Sequence, residues 1–349
     1  MTVYIVALEP ISTRYTKHWY DYLPDQIKNS GIDDVVQIAG EELSSEVSEG
    51  AFLNFSSTIY WKHSQLKIIA EMFHTGKIKD GDYFLFTDSW NSSAHDVRYM
   101  ADLLGLKVHI GGIWHAGSYD KWDFLGRCFK DKEWSYSLER SLYNLFDDNY
   151  FATEFHIELF HTILGISDRS KSVRTGLPME YFGDMVYDNP KKEDIVVFPH
   201  RISEEKHTEL FKELAKQMPQ YKFIIAMEEC TTKDSYYKLL SKSKIVFSAN
   251  LQETLGIGCV EGMMFGAIPV VPDRLSYREM YPDYLKYQSK YSESLDLTKC
   301  DIDALIDVID NTMNRYDEIA TSMNVDAGHI FDTFFTGTNM YKQINKRTA

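Results

Sequence analysis

Short apolar runs alternate with longer segments of helical periodicity along the whole chain. Val3 to Leu8, Val35 to Ala39, Tyr83 to Thr87 and Val108 to Ile110 are rich in β-branched and aromatic residues, and each is followed by turn residues and a helix-length stretch. The intervening helices hold His18, Trp19 and Tyr20, then Ser57 to Phe73, then a segment that runs to Leu104 and stops at Gly105. Asn189 to Asp194, polar with Pro190 and two lysines, breaks this rhythm and reads as a linker. Beyond it the alternation resumes: strand Ile195 to Phe198, helix Glu209 to Gln217, strand Phe223 to Ala226, helix Tyr236 to Ser241, strand Lys244 to Phe247 and strand Ile268 to Val271. Asp301 to Tyr316 and Asp326 to Ile344 close the chain as helices, the last with Phe331, Phe334 and Phe335 as an apolar stripe. The pattern predicts an α/β protein of two doubly wound, Rossmann-like domains, 1–188 and 189–325, with ligands at the carboxyl ends of the strands.

Composition narrows the class. The 349 residues are 44% hydrophobic and 26% charged, as in a folded globular protein long enough for two cores. No apolar run reaches membrane-spanning length, and the opening MTVYIVALEP reads as a first strand without the basic flank of a signal peptide, so a cytoplasmic protein is expected. Cys128, Cys230, Cys259 and Cys300 are scattered, which argues against a disulfide or zinc framework. A formal net charge of −15 opposes non-specific coating of nucleic acid, though a local basic groove stays open.

The chemistry concentrates between Glu253 and Arg274, ETLGIGCVEGMMFGAIPVVPDR. Glu253 and Glu261 flank a turn bearing Gly256 and Gly258, and an apolar small-residue helix then runs to Gly266. Unpaired amides at a helix start, with glycine allowing close approach, make a seat for phosphate. The spacing of eight residues puts one carboxylate at the loop mouth and the other two turns into the helix. Upstream, the loop Pro199 to Lys206 carries Arg201 and Lys206, a fork and a point charge suited to two phosphates.

This stretch resembles the E-x7-E signature of retaining glycosyltransferases of the GT-B architecture, the family 4 type, and Arg201 and Lys206 resemble that family's G-R-x-x-x-x-K-G element with His200 and His207 in place of its glycines. The resemblance implies two Rossmann-like domains facing each other across a cleft, with helix 326–349 crossing back onto the first domain. It implies that Glu253 contacts the donor sugar, that Thr254, Leu255 and Gly256 hold the diphosphate beside His200, and that Glu261 holds the ribose. It further implies that Arg201 and Lys206 steady the leaving phosphate, and that His115 contacts the sugar near its reacting end. The donor would be a nucleotide-diphosphate sugar, a UDP-sugar for preference, with no further cofactor, and the absence of a D-x-D motif goes with a reaction needing no metal.

The first domain resembles the family loosely. The loop after its first strand lacks the family's glycines, while FATEFH at 151–156 is similar to its N-S/T-E-F segment, with Thr153 as helix N-cap, and VRTGLP at 173–178 to its crossing element. Asp88 at a strand end and the stretch Gly111 to Asp120, with His115 and Ser118, carry more chemistry than connectors require, though a structural His is an equal reading for His115. YIVALEP and GGIWHAGSYDKWDFLG are similar to bacteriophage glycosyltransferases, some of which modify 5-hydroxymethyl pyrimidines in DNA. That likeness implies double-stranded DNA as partner in a host cytoplasm, with Trp61, Lys62, Trp114, Lys121, Trp122 and Arg127 around a flipped base and Asp88 and Asp120 on the acceptor side. A saccharide or glycolipid acceptor, or a silent nucleotide-sugar-binding module, are the alternatives; oligomeric state has no signature.

Overall fold

A computed structural model describes residues 1–43, 54–184 and 190–348, and the domain boundary expected at 188/189 lies outside them. The chain forms two compact units, Met1–Gly183 with Phe335–Ala349, and Asp184–Phe334.

The first unit is built on six parallel strands: β1 (Val3–Val6), β2 (Val35–Ile38), β3 (Tyr83–Phe86), β4 (His109–Trp114), β5 (Asp148–Phe151) and β6 (Ser172–Arg174). Their order is β2-β1-β3-β4-β5-β6. The chain therefore leaves β1 in one direction and β3 continues in the other, so a crevice opens at the carboxyl ends of these two strands. Strands β1 and β3 are buried along their whole length, as apolar runs covered by helices on both faces must be.

The second unit repeats the scheme with five parallel strands: β7 (Glu193–Phe198), β8 (Lys222–Ile225), β9 (Ser243–Phe247), β10 (Ile268–Pro272) and β11 (Lys286–Tyr287). Their order is β11-β10-β9-β7-β8, which puts the switch between β7 and β9. Each unit has its own apolar core, around Phe84, Phe86, Trp114 and Phe160 in the first and around Phe198, Phe211, Phe247 and Leu305 in the second. Among the described residues no helix is long and apolar enough to cross a membrane.

Four expectations change. Gly111 and Gly112 lie inside β4, not in the loop after it, because a Cβ on either would run into Tyr83 and Tyr150 or into Phe146 and Ser89. Phe151 ends a strand, β5, whose polar Asp148 and Asn149 hid it; Thr153 is the N-cap of the next helix, accepting from the His156 amide at 3.2 Å. The closing helix is not continuous over 326–344: Tyr316–Phe334 ends before Gly337, and Thr338–Thr348 begins anew in the first unit, where Arg347 and Gln343 bind buried Asp148. Glu193 and Asp194, expected in a linker, already belong to β7.

Candidate active site

At the switch point of the second unit, the chain leaving β7 presents His200, Arg201 and Lys206, and the chain leaving β9 presents Asn250, Gln252 and Glu253. Lys206 is buried and its Nζ donates to Gln252 O at 2.5 Å, to Gln252 Oε1 at 3.2 Å and to Glu253 Oε2 at 3.2 Å. Asn250 Nδ2 donates to the same Glu253 oxygen at 3.1 Å, while the Thr254 and Leu255 amides donate to Oε1 at 3.2 and 3.3 Å. Two of the three backbone positions expected to hold diphosphate thus close instead on the Glu253 carboxylate. Burial works against that carboxylate, but Lys206 outweighs it, with His200 and the Leu255 amide, and its pKa lies below the ordinary value. Glu253 is ionised at neutral pH.

Behind this loop stands Arg274, whose Nε and Nη2 donate to the carbonyls of Asn250 and Ala249 at 2.8 Å each. Gly256 follows at φ 87°, a left-handed position that starts the helix Ile257–Met264, and a Cβ there would lie 2.5 Å from Tyr277. Gly262 lets that helix settle on β9, since a Cβ would come within 2.7 Å of Val246. His200 is buried, and burial, reinforced by Lys206, drops its pKa to about 3, so the ring is neutral. Its Nδ1 lies 3.4 Å from Asn250 Nδ2, and its Nε2 is buried with no hydrogen-bond partner among the described residues.

Arg201 turns back on its own loop. Its Nε donates to Ser203 Oγ at 3.2 Å and to Glu205 Oε1 at 3.1 Å, and Nη2 also meets Oε1. Glu205 is fully buried; burial raises its pKa, yet Arg201 prevails and the carboxyl stays below its ordinary value. Glu261 is buried on the helix Ile257–Met264, where Lys233 Nζ donates to Oε1 at 2.7 Å and Tyr237 OH at 3.1 Å.

In the first unit the carboxyl ends of β3 and β4 bring Asp88 and His115 together. Lys62 Nζ pairs with Asp88 Oδ2 at 2.6 Å and with Trp90 O at 2.5 Å. Burial opposes the charge on Asp88, but Lys62 and His115 hold its pKa down. His115 Nε2 lies 2.7 Å from Thr87 O, a pure acceptor, so the proton sits on Nε2; burial lowers the ring's pKa, and neutral Nδ1 then accepts from Tyr15 OH at 3.1 Å. Both ring nitrogens of His115 are therefore used within the unit.

Two aromatic residues expected against a base are core residues. Trp114 is 1% exposed, bonded through Nε1 to Asn149 Oδ1 at 2.9 Å and packed on Phe151 and Phe160; Trp61 is 1% exposed with Nε1 on Ala7 O at 2.8 Å. Neither offers a face to stack on. Asp120 is buried in a tight loop, accepting from the Trp122 amide at 3.0 Å, while Trp122 is half-buried and Arg127 exposed.

Three carboxylates or cations of note escaped the sequence reading: Glu9, Glu139 and Lys233. Glu9, at the end of β1, is buried and accepts from Thr58 Oγ1 at 2.6 Å. Glu139 is fully buried, accepting from the Ser118 amide at 2.6 Å, Ser118 Oγ at 2.7 Å and Trp90 Nε1 at 3.1 Å, and so ties together the two loops that carry Asp88 and His115. A signal existed: Ser135, Glu139, Leu142 and Tyr143 fall on one face of a helix, and a lone Glu on an apolar face needs donors. Burial raises Glu139 to about 7 from 4.5 against the pull of those donors. A raised carboxyl favours the folded state most below pH 4.5, and that advantage is lost as pH rises through 7. Glu139→Gln should accordingly flatten the fall in stability between pH 5 and 8 by roughly 3 kcal/mol, read from unfolding midpoints of both proteins across that range. Parallel pH profiles would assign the titration elsewhere.

No protein-family profile and no curated protein matches the chain. Solved structures do. Sucrose-phosphate synthase from Thermosynechococcus elongatus superposes with a TM-score of 0.66 at 10% identity, covering 99% of this chain and 97% of that one. WaaG, a glycosyltransferase involved in lipopolysaccharide biosynthesis, gives 0.60 at 9% identity over 100% of both chains. The chain has the GT-B fold. TarM of S. aureus, as a G117R mutant in complex with fondaparinux, α-GlcNAc-glycerol and UDP, gives 0.53 at 15% identity over 82% of this chain and 59% of that one. The chain spans between 59% and 61% of the length of the TarM and GtfA chains it matches.

Proposed function

We propose that this protein transfers a sugar from a nucleotide-diphosphate sugar to an acceptor hydroxyl with retention of anomeric configuration. The observation that carries this reading is the pair of buried Lys206 and half-buried Glu253 at the switch point of the second sheet, placed beside left-handed Gly256 and the start of the helix that bears Glu261. A carboxylate held ionised and fixed by Asn250, two amides and a lysine is suited to accept hydrogen bonds from the hydroxyls of a donor sugar. The first free amides of the helix Ile257–Met264, the unpartnered Nε2 of His200, and the charges of Lys206 and Arg201 offer donors to a diphosphate. Lys206 must exchange Gln252 for phosphate to do so. The GT-B relatives solved with UDP, TarM and GtfA, support a uridine nucleotide.

In this mechanism the bond from the anomeric carbon to the β-phosphate oxygen breaks, the acceptor oxygen bonds to that carbon from the same face, and its proton passes to the departing phosphate. The protein's part is to hold the growing phosphate charge. Lys206, Arg201 and the helix start would supply the positive charge that a divalent cation otherwise brings to a diphosphate. Transfer is expected to survive chelation by EDTA with little change in rate, and NMR of the product should show the donor's anomeric configuration. Inversion would require a protein base and make Asp88 or Asp120 the candidates.

For the acceptor, a saccharide or lipid-linked hydroxyl stands equal beside the flipped DNA base, whose expected contacts are reduced. Of the residues named for DNA, Trp61 and Trp114 are buried in the core and Lys62 is paired with Asp88, which leaves Lys121, Trp122 and Arg127 on a molecule of formal charge −15. Incubation with a panel of nucleotide sugars, glycan and lipid acceptors, and DNA bearing 5-hydroxymethyl pyrimidines tests this by mass spectrometry. Sugar mass on the nucleosides would restore DNA; binding of donor with no transfer to any acceptor would reduce the protein to a binding module.

A further inference from the structure

The helix Lys233–Lys242 begins with a lysine, where the backbone dipole disfavours a cation. Thr232 caps this helix and closes a capping box with Ser235, so the helix start has no structural need of the ammonium. Lys233 instead reaches across to the neighbouring helix, where its Nζ donates to Glu261 Oε1 at 2.7 Å. Tyr236 and Tyr237 follow at the spacings that share its face, and Nζ stands 5.1 Å from each ring centroid. The stem is thereby fixed in one direction.

Around this pair the hydrogen-bonding capacity is half used. The ammonium has three donors and makes one hydrogen bond. Tyr237 OH converges on the same Oε1 at 3.1 Å, and no group among the described residues donates to Oε2. The hydroxyl of Tyr236, a residue 8% exposed, is buried close beside the Glu261 carboxylate. Spare ammonium donors beside a carboxylate whose Lys233 and Tyr237 donors converge on one oxygen match a ligand that itself carries adjacent groups able to donate and accept. Two neighbouring hydroxyls are the simplest such ligand.

We propose that Lys233 and Glu261 together grip the vicinal 2′,3′-diol of the nucleotide's ribose, Glu261 Oε2 accepting from one hydroxyl and Lys233 donating to the oxygen of the other. Lys233 is then the specificity-determining residue that distinguishes ribonucleotides from deoxyribonucleotides. The inference rests on the reading of Glu261 as the ribose carboxylate and adds to it the second hand of the grip. Glu261 alone could be content with either hydroxyl; the pair requires both, because loss of one leaves a desolvated group of the protein unmatched.

The test is calorimetric. The tightest binder among UDP, GDP and ADP is compared with its 2′-deoxy form on the wild-type protein, on Lys233→Met and on Glu261→Gln. The wild type should prefer the ribonucleotide by about tenfold or more, the cost of one unmatched buried polar group. Lys233→Met should reduce that preference to about twofold or less. An unchanged preference in Lys233→Met overturns the proposal and leaves the lysine as a structural partner of Glu261. Unaltered nucleotide affinity in Glu261→Gln, or no binding of any nucleotide to the wild type, overturns the ribose reading itself. Should Lys233→Met fail to fold around a lone carboxylate, the double variant Lys233→Met/Glu261→Gln is measured against Glu261→Gln. There the residual preference should fall further, and equal preferences count against Lys233.

Discussion

Lys206→Ala is expected to lower turnover by about two to three orders of magnitude, the range seen when one preorganised group facing a developing oxyanion is removed. The effect should fall on kcat more than on KM, since charge on the leaving phosphate is greatest in the transition state. The same change should also weaken the fold. Lys206 is the only cation paired with Glu253 among the described residues, and losing it from this partly buried pair leaves a carboxylate without its counter-charge, at a cost of up to about 3 kcal/mol. The two effects separate when the double variant Lys206→Ala/Glu253→Gln, which carries no lone carboxylate, is set against Glu253→Gln alone: stability should largely return, while turnover should still fall below that of Glu253→Gln. Equal turnover in those two variants would mean that Lys206 serves the fold alone. A fall confined to KM would make it an anchor for the donor.

Much of this site was legible because its logic is local. Glu253, Gly256 and Glu261 sit within one loop and helix, and spacing alone places them; Arg201 and Lys206 lie on the loop after an unmistakable apolar strand. What spacing could not reveal is how each group is satisfied. Arg201 closes on Glu205 four residues away, Lys206 on Gln252 and Glu253, and Glu261 on Lys233 across a distance of 28 residues. The first unit was harder to read because its polar residues find partners far along the chain. Strand β5 opens with Asp148 and Asn149, which argue for a turn until Arg347, 199 residues away, and Trp114 are seen to satisfy them. Trp114, with its indole on that asparagine, looked like chemistry in a loop and is packing in a core.

The glycine pair in β4 gives the largest expected effect on stability. Gly111 and Gly112 belong to the central part of a parallel sheet, where a residue without a side chain weakens packing unless something else fills the space. Here Tyr83 and Tyr150 fill it from one face and Phe146 from the other. A Cβ at position 111 would lie 2.1 Å from Tyr83 OH and 2.9 Å from Tyr150. These hydroxyls bond each other at 2.6 Å, and Tyr83 OH also reaches Asp148 Oδ2 at 3.2 Å, all in a fully buried setting. Gly111→Ala must therefore both overpack the sheet, at about 1–3 kcal/mol, and part a buried hydrogen bond, at about 1–3 kcal/mol more. The first unit should unfold at lower denaturant or temperature while the unfolding of the second is little changed. Tyr83→Phe removes the offending oxygen, so the pair of changes should cost less than the sum of each alone, by about 1 kcal/mol or more in a double-mutant cycle. Strict additivity would mean that the strand moves away from the new methyl and that the tyrosine pair, not the glycine, sets the close approach.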